Sequence, residues 1–345
     1  MKFILFCNLP YAFSILKPLE QEIIKRGYDF LWYLPSDIEN SFAYKNSNYT
    51  TSIKDLINYK SDVIFVPGND VPHFLHGIKV QIFHGLAGEK KGHFKIRNYF
   101  DLYLTQGPYF TNKFKDLAKK YKNFEVTQTG WCKLDNLYQI SKETKEIKEN
   151  LLKKHNVKKI ILYAPTFSPS LTSAPKLIEI INNLSKKNDI LVIVKFHDKI
   201  DKHIEQKYIN IQTDKLIISN EKDITKLLQI SDLMISDTSS VVYEFILLNK
   251  PVVTLNSNSK NINWLNIKNV DNFENAVMKL VNNDDEYFEK RKKIIKMYHP
   301  YSDSKSSQRM VDAVIKYKEK NSVPTKRKLS LLRKFKIYKK YGKID

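Results

Sequence analysis

A chain of 345 residues with 42% hydrophobic and 12% aromatic side chains can bury real cores, which excludes wholesale disorder and leaves room for two domains. The net charge of +21 points first to nucleic acid, but only six of the 58 basic residues are arginine and no nucleic-acid motif is present, so no nucleic-acid partner is expected. Two cysteines (Cys7, Cys132) without framework or metal-ligand spacing, no apolar run of membrane-spanning length, and a first segment too short for a signal-peptide core lead to the expectation of a soluble, cytoplasmic protein.

The first half alternates short apolar runs with helical patterns. Phe3–Cys7 is strand-like, and Ser14–Arg26 is helical and stops at Gly27. Phe30–Leu34, Val63–Val66, Val80–Phe83, Leu102–Thr105 and Phe124–Gln128 are further strands, with helices near Ile53–Tyr59 and at Pro108–Tyr121, where Pro108 suits the first turn. Ser141–Lys159 is charged and poorly patterned, and separates this series from a second. There Ile160–Tyr163, Ile190–Lys195, Leu216–Ile218, Leu233–Ser236 and Val252–Leu255 are strands. Lys176–Lys187, a long stretch from Asn272 to about Met297, and Ser306–Lys320 are helices. The alternation predicts two Rossmann-like α/β domains facing a cleft, residues 1–150 and 151–320, followed by a basic tail, 321–345. No G-x-G-x-x-G is present, which disfavours a dinucleotide cofactor.

Polar residues gather where parallel strands should end, the usual ligand side of open α/β sheets. Val80–Phe83 runs into His84, followed by Gly85, Gly88 and Gly92 with Lys90 and Lys91 between them, a candidate phosphate-contacting loop. Ile190–Val194 runs into Lys195, Phe196 and His197, and Tyr163 into Ala164, Pro165 and Thr166. Leu233–Ser236 leads to Asp237, Thr238, Ser239 and Ser240, small polar residues that favour a helix N-cap before Val241, Val242, Phe245 and Leu248. Such a helix start suits phosphate, although the same four residues also fit an ordinary capped helix. A loop histidine by itself equally fits a structural role, and Gly130–Asp135 equally fits a hinge turn.

The ordered set resembles the CDP-glycerol glycerophosphotransferase family, the enzymes of teichoic-acid and related capsular polymers. Its parts are His84-Gly85 with Lys90, Lys91 and Gly92; Gly130–Asp135; Leu162–Thr166; Lys195–His197; Asp237–Ser240 with Glu244, Lys250 and Pro251; and Asp303–Arg309. The resemblance implies a GT-B fold and transfer of glycerol phosphate, or a related polyol phosphate, from a CDP-linked donor with release of CMP. It implies His84 as the base on the acceptor hydroxyl, with His197, Ser239 and Ser240 on the donor diphosphate and Glu244 on the cytidine ribose. Lys133, Thr166, Lys195, Asp237 and Thr238 would be further substrate contacts. The chain departs from the family pattern at Cys132, Ser168, Asp198, Thr238 and Glu244, though a glutamate still offers two ribose hydrogen bonds.

A glycan- or lipid-linked acceptor is implied, and no metal or other cofactor is expected. The tail adds an expected partner of its own. From Leu331 onward Leu331, Phe335, Ile337, Tyr338 and Tyr341 fall on one side of a helix and Arg333, Lys336, Lys339, Lys340 and Lys343 on the other, which would suit the anionic inner face of a cell membrane. A GT-B glycosyltransferase or epimerase using a UDP-sugar, and a non-catalytic phosphoglycan- or membrane-binding protein, are the competing readings.

Overall fold

The computed structural model describes residues 1–342 except 87, 89–91, 222, 260 and 261. Ala87, Glu89, Lys90 and Lys91 of the expected phosphate loop, and Lys343 of the tail, therefore lie outside the described residues. The chain forms two compact units, Met1–Asn136 with Met297–Asp345, and Leu137–Lys296. Among the described residues no helix is long and apolar enough to cross a membrane.

The first unit holds seven strands: β1 (Lys2–Phe6), β2 (Asp29–Tyr33), β3 (Tyr49–Thr50), β4 (Val63–Val66), β5 (Ile78–Gln81), β6 (Leu102–Thr105) and β7 (Glu125–Gln128). They pair in the order β3-β2-β1-β4-β5-β6-β7, parallel throughout. The second unit holds β8 (Lys159–Tyr163), β9 (Ile190–Val194), β10 (Leu216–Ile218), β11 (Leu233–Ser236), β12 (Val252–Leu255) and β13 (Leu265–Ile267). Their order is β10-β9-β8-β11-β12-β13, again all parallel. Unbroken apolar runs such as Val63–Val66 are buried, as helix-covered parallel strands require. Each order reverses once, between β1 and β4 and between β8 and β11, and crevices for ligands open at the C-terminal ends of such strand pairs.

Local chemistry sets the helix ends. Ser52 caps helix Ile53–Tyr59 by accepting from the Asp55 amide, and Pro108 opens helix Pro108–Tyr121. The charged stretch 141–159, expected as a separator, contains a helix, Lys142–Lys154, capped by Ser141 on the Thr144 amide. Its sparse apolar positions hid it. The long helix expected from Asn272 is two, Phe273–Val281 and Phe288–Tyr298, split where Asn283 turns left-handed at φ 65°. Two short helices, Lys202–Asn210 and Thr225–Ile230, were not expected at all.

The domain limits also differ from expectation. The division falls after residue 136 rather than 150, and residues 297–345 belong to the first unit rather than to the second or to a detached tail. Ion pairs explain why the chain returns. Arg26 meets Asp312 at 2.6 Å, Lys318 meets Asp62 at 2.5 Å, and Arg327 meets Asp101 at 2.5 Å with both side chains buried. Helix Leu331–Tyr341 then buries Ile337 and Tyr341, and Tyr338 stacks on Phe74 with ring centres 5.7 Å apart. The expected amphipathic face is thus turned inward in part. Leu331, Leu332 and Phe335 are the apolar residues left exposed, at 82%, 75% and 67%.

Candidate active site

In the first unit β5 ends at Gln81, earlier than expected, because Phe83 takes a left-handed conformation at φ 62°. A bulky residue there is costly, and such strain tends to persist where function needs it. The turn brings His84 to the surface, where Nδ1 lies 3.0 Å from the carbonyl of Pro67. A carbonyl can only accept, so Nδ1 carries the proton and Nε2 keeps its lone pair. Beside it the Tyr11 ring stands 5.2 Å from the imidazole.

What holds this turn comes from two distant segments of the same unit. The Trp131 indole N–H donates to the Phe83 carbonyl at 3.4 Å, and the Trp131 amide donates to His299 Nε2 at 3.0 Å. Gly130, at φ 85°, has no room for a Cβ, which would stand 2.5 Å from Ser306 Oγ. Asp135 caps helix Ser306–Lys320, accepting from the Ser306 and Ser307 amides at 2.8 and 2.7 Å. Arg309 donates to the Thr129 carbonyl at 2.7 Å and pairs with Asp303. Gly130–Asp135 and Asp303–Arg309 are therefore one buttress behind His84. Lys133 stands at this buttress with its ammonium 5.5 Å over the Trp131 ring.

In the second unit the expected residues sit at the ends of β8, β9 and β11, adjacent strands around the order reversal. Asp237 turns its carboxylate into the unit. Its buried carboxylate accepts from the amides of Thr166 at 2.9 Å and Ser173 at 2.8 Å and from the Ser173 hydroxyl at 2.9 Å. Burial raises its pKa above the ordinary carboxylate value, against the pull of these donors. Thr238 Oγ1 accepts from the Asn258 amide at 3.0 Å. Both are positioning groups for the loop after β8 and the turn after β12.

Ser239 is half-buried and Ser240 exposed, and neither hydroxyl has a hydrogen-bond partner among the described residues. Ser240 is in the right-handed helical region with no capping hydrogen bond, and helix Val241–Ile246 has only six residues. The N-cap expected there is absent. Glu244 lies buried on that helix.

Exposed His197 has its Nδ1 accepting from the Lys199 amide at 3.1 Å, which leaves the proton of the neutral ring on Nε2. Its pKa lies below the ordinary value, chiefly through partial desolvation of the ring, with Asp198 opposing and Lys199 and Lys195 adding to the depression. The Phe167 ring lies 4.4 Å from the imidazole. Lys195 is tied by its ammonium to the Phe196 carbonyl at 2.7 Å. Lys250 serves structure: its ammonium binds the carbonyls of Leu228, Gln229 and Ser231, closing the end of helix Thr225–Ile230. Burial pushes its pKa down to about 8. No group of three or more His, Cys, Asp or Glu side chains that could hold a metal ion occurs among the described residues.

A family model described as CDP-Glycerol:Poly(glycerophosphate) glycerophosphotransferase matches residues 78–261, more than half of the chain. The chain belongs to this family. It is 26% identical over 302 residues to a teichoic acid ribitol-phosphate polymerase of Staphylococcus aureus, covering 73% of this chain and 51% of that one. It is 27% identical over 200 residues to a teichoic acid glycerol-phosphate primase of Bacillus subtilis, covering 50% and 49%. The chain thus spans about half the length of these two relatives. The solved structure of the wall teichoic acid polymerase TagF matches with a TM-score of 0.65 at 16% identity, over 92% of this chain and 89% of that one. An S. aureus MnaA–UDP co-structure matches with a TM-score of 0.67 at 16% identity, over 92% and 97%. These likenesses show the fold, which is of the GT-B type.

Within this glycerophosphotransferase family member, the matched stretch runs from β5 through the loop after β12. It includes His84, His197 and the Asp237–Glu244 segment, but not the strand ends at Asn8 and Asp70 or the helix Leu331–Tyr341. Those strand ends line a pocket of the first unit that the sequence reading missed. Its sequence signal was three polar residues, Asn8 after β1 and Asn69-Asp70 after β4, beyond strands read for their apolar runs.

Proposed function

We propose that the protein transfers glycerol phosphate, or a related polyol phosphate, from a CDP-linked donor to a hydroxyl of a membrane-held glycan or lipid acceptor, in teichoic-acid or capsular polysaccharide synthesis. The acceptor oxygen attacks the β-phosphorus, the bond from that phosphorus to the bridging oxygen breaks, and CMP leaves. The observation that carries this reading is His84, whose Nδ1 is committed to the Pro67 carbonyl so that Nε2 can take the hydroxyl proton. His197 Nε2–H, with Ser239 and Ser240, would donate to the donor diphosphate and to the charge that develops as CMP leaves. Glu244 would bind the cytidine ribose, with Lys133, Thr166 and Lys195 as further contacts.

The protein would work at the cytoplasmic face of the membrane, held by Leu331, Leu332 and Phe335 dipping among lipids while neighbouring lysines meet anionic headgroups. The test of the reaction is free nucleotide. Purified protein given CDP-glycerol or CDP-ribitol and a lipid-linked acceptor should release CMP. Turnover of UDP-sugars with no response to either CDP-polyol would replace this reading with the glycosyltransferase or epimerase one.

A further inference from the structure

The pocket of the first unit lies where β1 and β4 end side by side, at the reversal of strand order, and has a volume of about 380 Å³. Five side-chain cations line it against one carboxylate, Asp70. Asp70 is already engaged, by Lys340 at 2.8 Å and by the Asn8 side-chain amide at 3.0 Å. Four cations remain. Among the described residues Arg97 and Arg333 donate only to main-chain carbonyls, Arg97 to those of Lys95 and Gly92 and Arg333 to that of Arg97. Lys95 and Lys336 are exposed and enter no ion pair among the described residues.

These charges are held together by the fold. Arg333, Lys336 and Lys340 recur at i, i+3 and i+7, so one face of helix Leu331–Tyr341 presents all three, and buried Ile337 and Tyr341 fix that helix. The guanidinium of Arg97 is pushed below its ordinary pKa, first by burial and then in part by Arg333. Like charges confined at a concave strand-end site favour an anion, and guanidinium groups match phosphate oxygens in geometry.

We propose that this pocket binds a phosphate group of the acceptor, a phosphodiester or pyrophosphate within the chain whose hydroxyl is to react. The proposal rests on the transfer reaction inferred above. Two contacts favour the acceptor over the donor. Tyr11 lines the pocket and also stands 5.2 Å from His84. Loop 67–70 supplies both the carbonyl that holds His84 and the carboxylate that holds Lys340. An acceptor phosphate seated there would leave a hydroxyl of the same chain beside the base, and four cations without a carboxylate among the described residues would be of little use to a neutral glycan.

The experiment is amine footprinting of the full chain with a soluble glycerol-phosphate oligomer. The oligomer should protect Lys95 and Lys336 from acetylation, read by mass spectrometry, while inorganic phosphate at equal phosphorus should not. In Lys95→Gln and Lys336→Gln, oligomer affinity should fall roughly tenfold per lysine, as expected for losing a hydrogen bond to a charged group. Affinity for CDP-glycerol and the melting temperature should stay unchanged. No protection by the oligomer, equal protection by inorganic phosphate, or protection only by phosphatidylglycerol vesicles would overturn the assignment. Binding is read without turnover, so the two ideas fail separately. Protection without CMP release would sink the reaction alone, and CMP release with an unmoved oligomer KM in both variants would sink the pocket alone.

Discussion

At the scale of single residues, the two histidines are set up as opposites. His84 has its proton on Nδ1 and a lone pair on Nε2, whereas His197 has its lone pair engaged at Nδ1 and a proton on Nε2. One is poised to accept and the other to donate. His84→Ala should therefore lower kcat by about 10²–10⁴-fold with little change in donor KM, the usual range for general-base assistance. His197→Ala should raise donor KM and lower kcat together. Near-normal turnover in His84→Ala with a working acceptor would remove the base role. Both histidines were legible in the sequence, because each follows an apolar strand. Asp237 was legible as present but not in its task. Its direction depends on the Ser173 amide, 64 positions away, and no local pattern announces such a partner.

At the scale of elements, the buttress of Gly130–Asp135 and residues 299–309 depends on a histidine staying neutral. Burial pushes His299 down to about 4, and its Nε2 accepts from the Trp131 amide. Burial likewise lowers His93, stacked 5.3 Å from Phe83, to about 4. A histidine whose folded pKa lies below its unfolded value of about 6.5 contributes stability that is complete above that value and is lost as pH falls toward 4. The contribution is on the order of 3 kcal/mol for each. The melting temperature should thus fall steeply between about pH 6.5 and 4. His299→Gln, whose side-chain oxygen can accept the same amide, should remove about half of that fall. An unchanged pH profile in His299→Gln would show that the buttress does not sense protons. Element identity was largely legible here: Ile53–Tyr59, Val63–Val66 and Pro108–Tyr121 have the limits expected of them. Helices with few apolar positions were lost, whereas Ser306–Lys320 was legible as an element but not in its capping by Asp135, 171 positions away.

At the scale of the whole molecule, the excess positive charge is not a uniform coat. Residues 321–345 hold nine Lys/Arg and one acid, and part of that charge is turned onto the body by Arg327, Arg333 and Lys340. Membrane attraction should then depend on the three outward apolar residues. Leu331→Ser, Leu332→Ser and Phe335→Ser together should lower sedimentation with phosphatidylglycerol vesicles severalfold and leave the fold intact; equal sedimentation would dismiss the contact. The return of residues 297–342 to the first unit has a consequence during synthesis. The second unit is continuous and can close as soon as it leaves the ribosome. The first unit, although begun earlier, must wait with Asp101 unpaired by its guanidinium until Arg327 emerges, 226 residues after its partner. Of the two units the one begun earlier is the last to be finished, and a message cut short before the Arg327 codon yields a first unit that never acquires its closing charge.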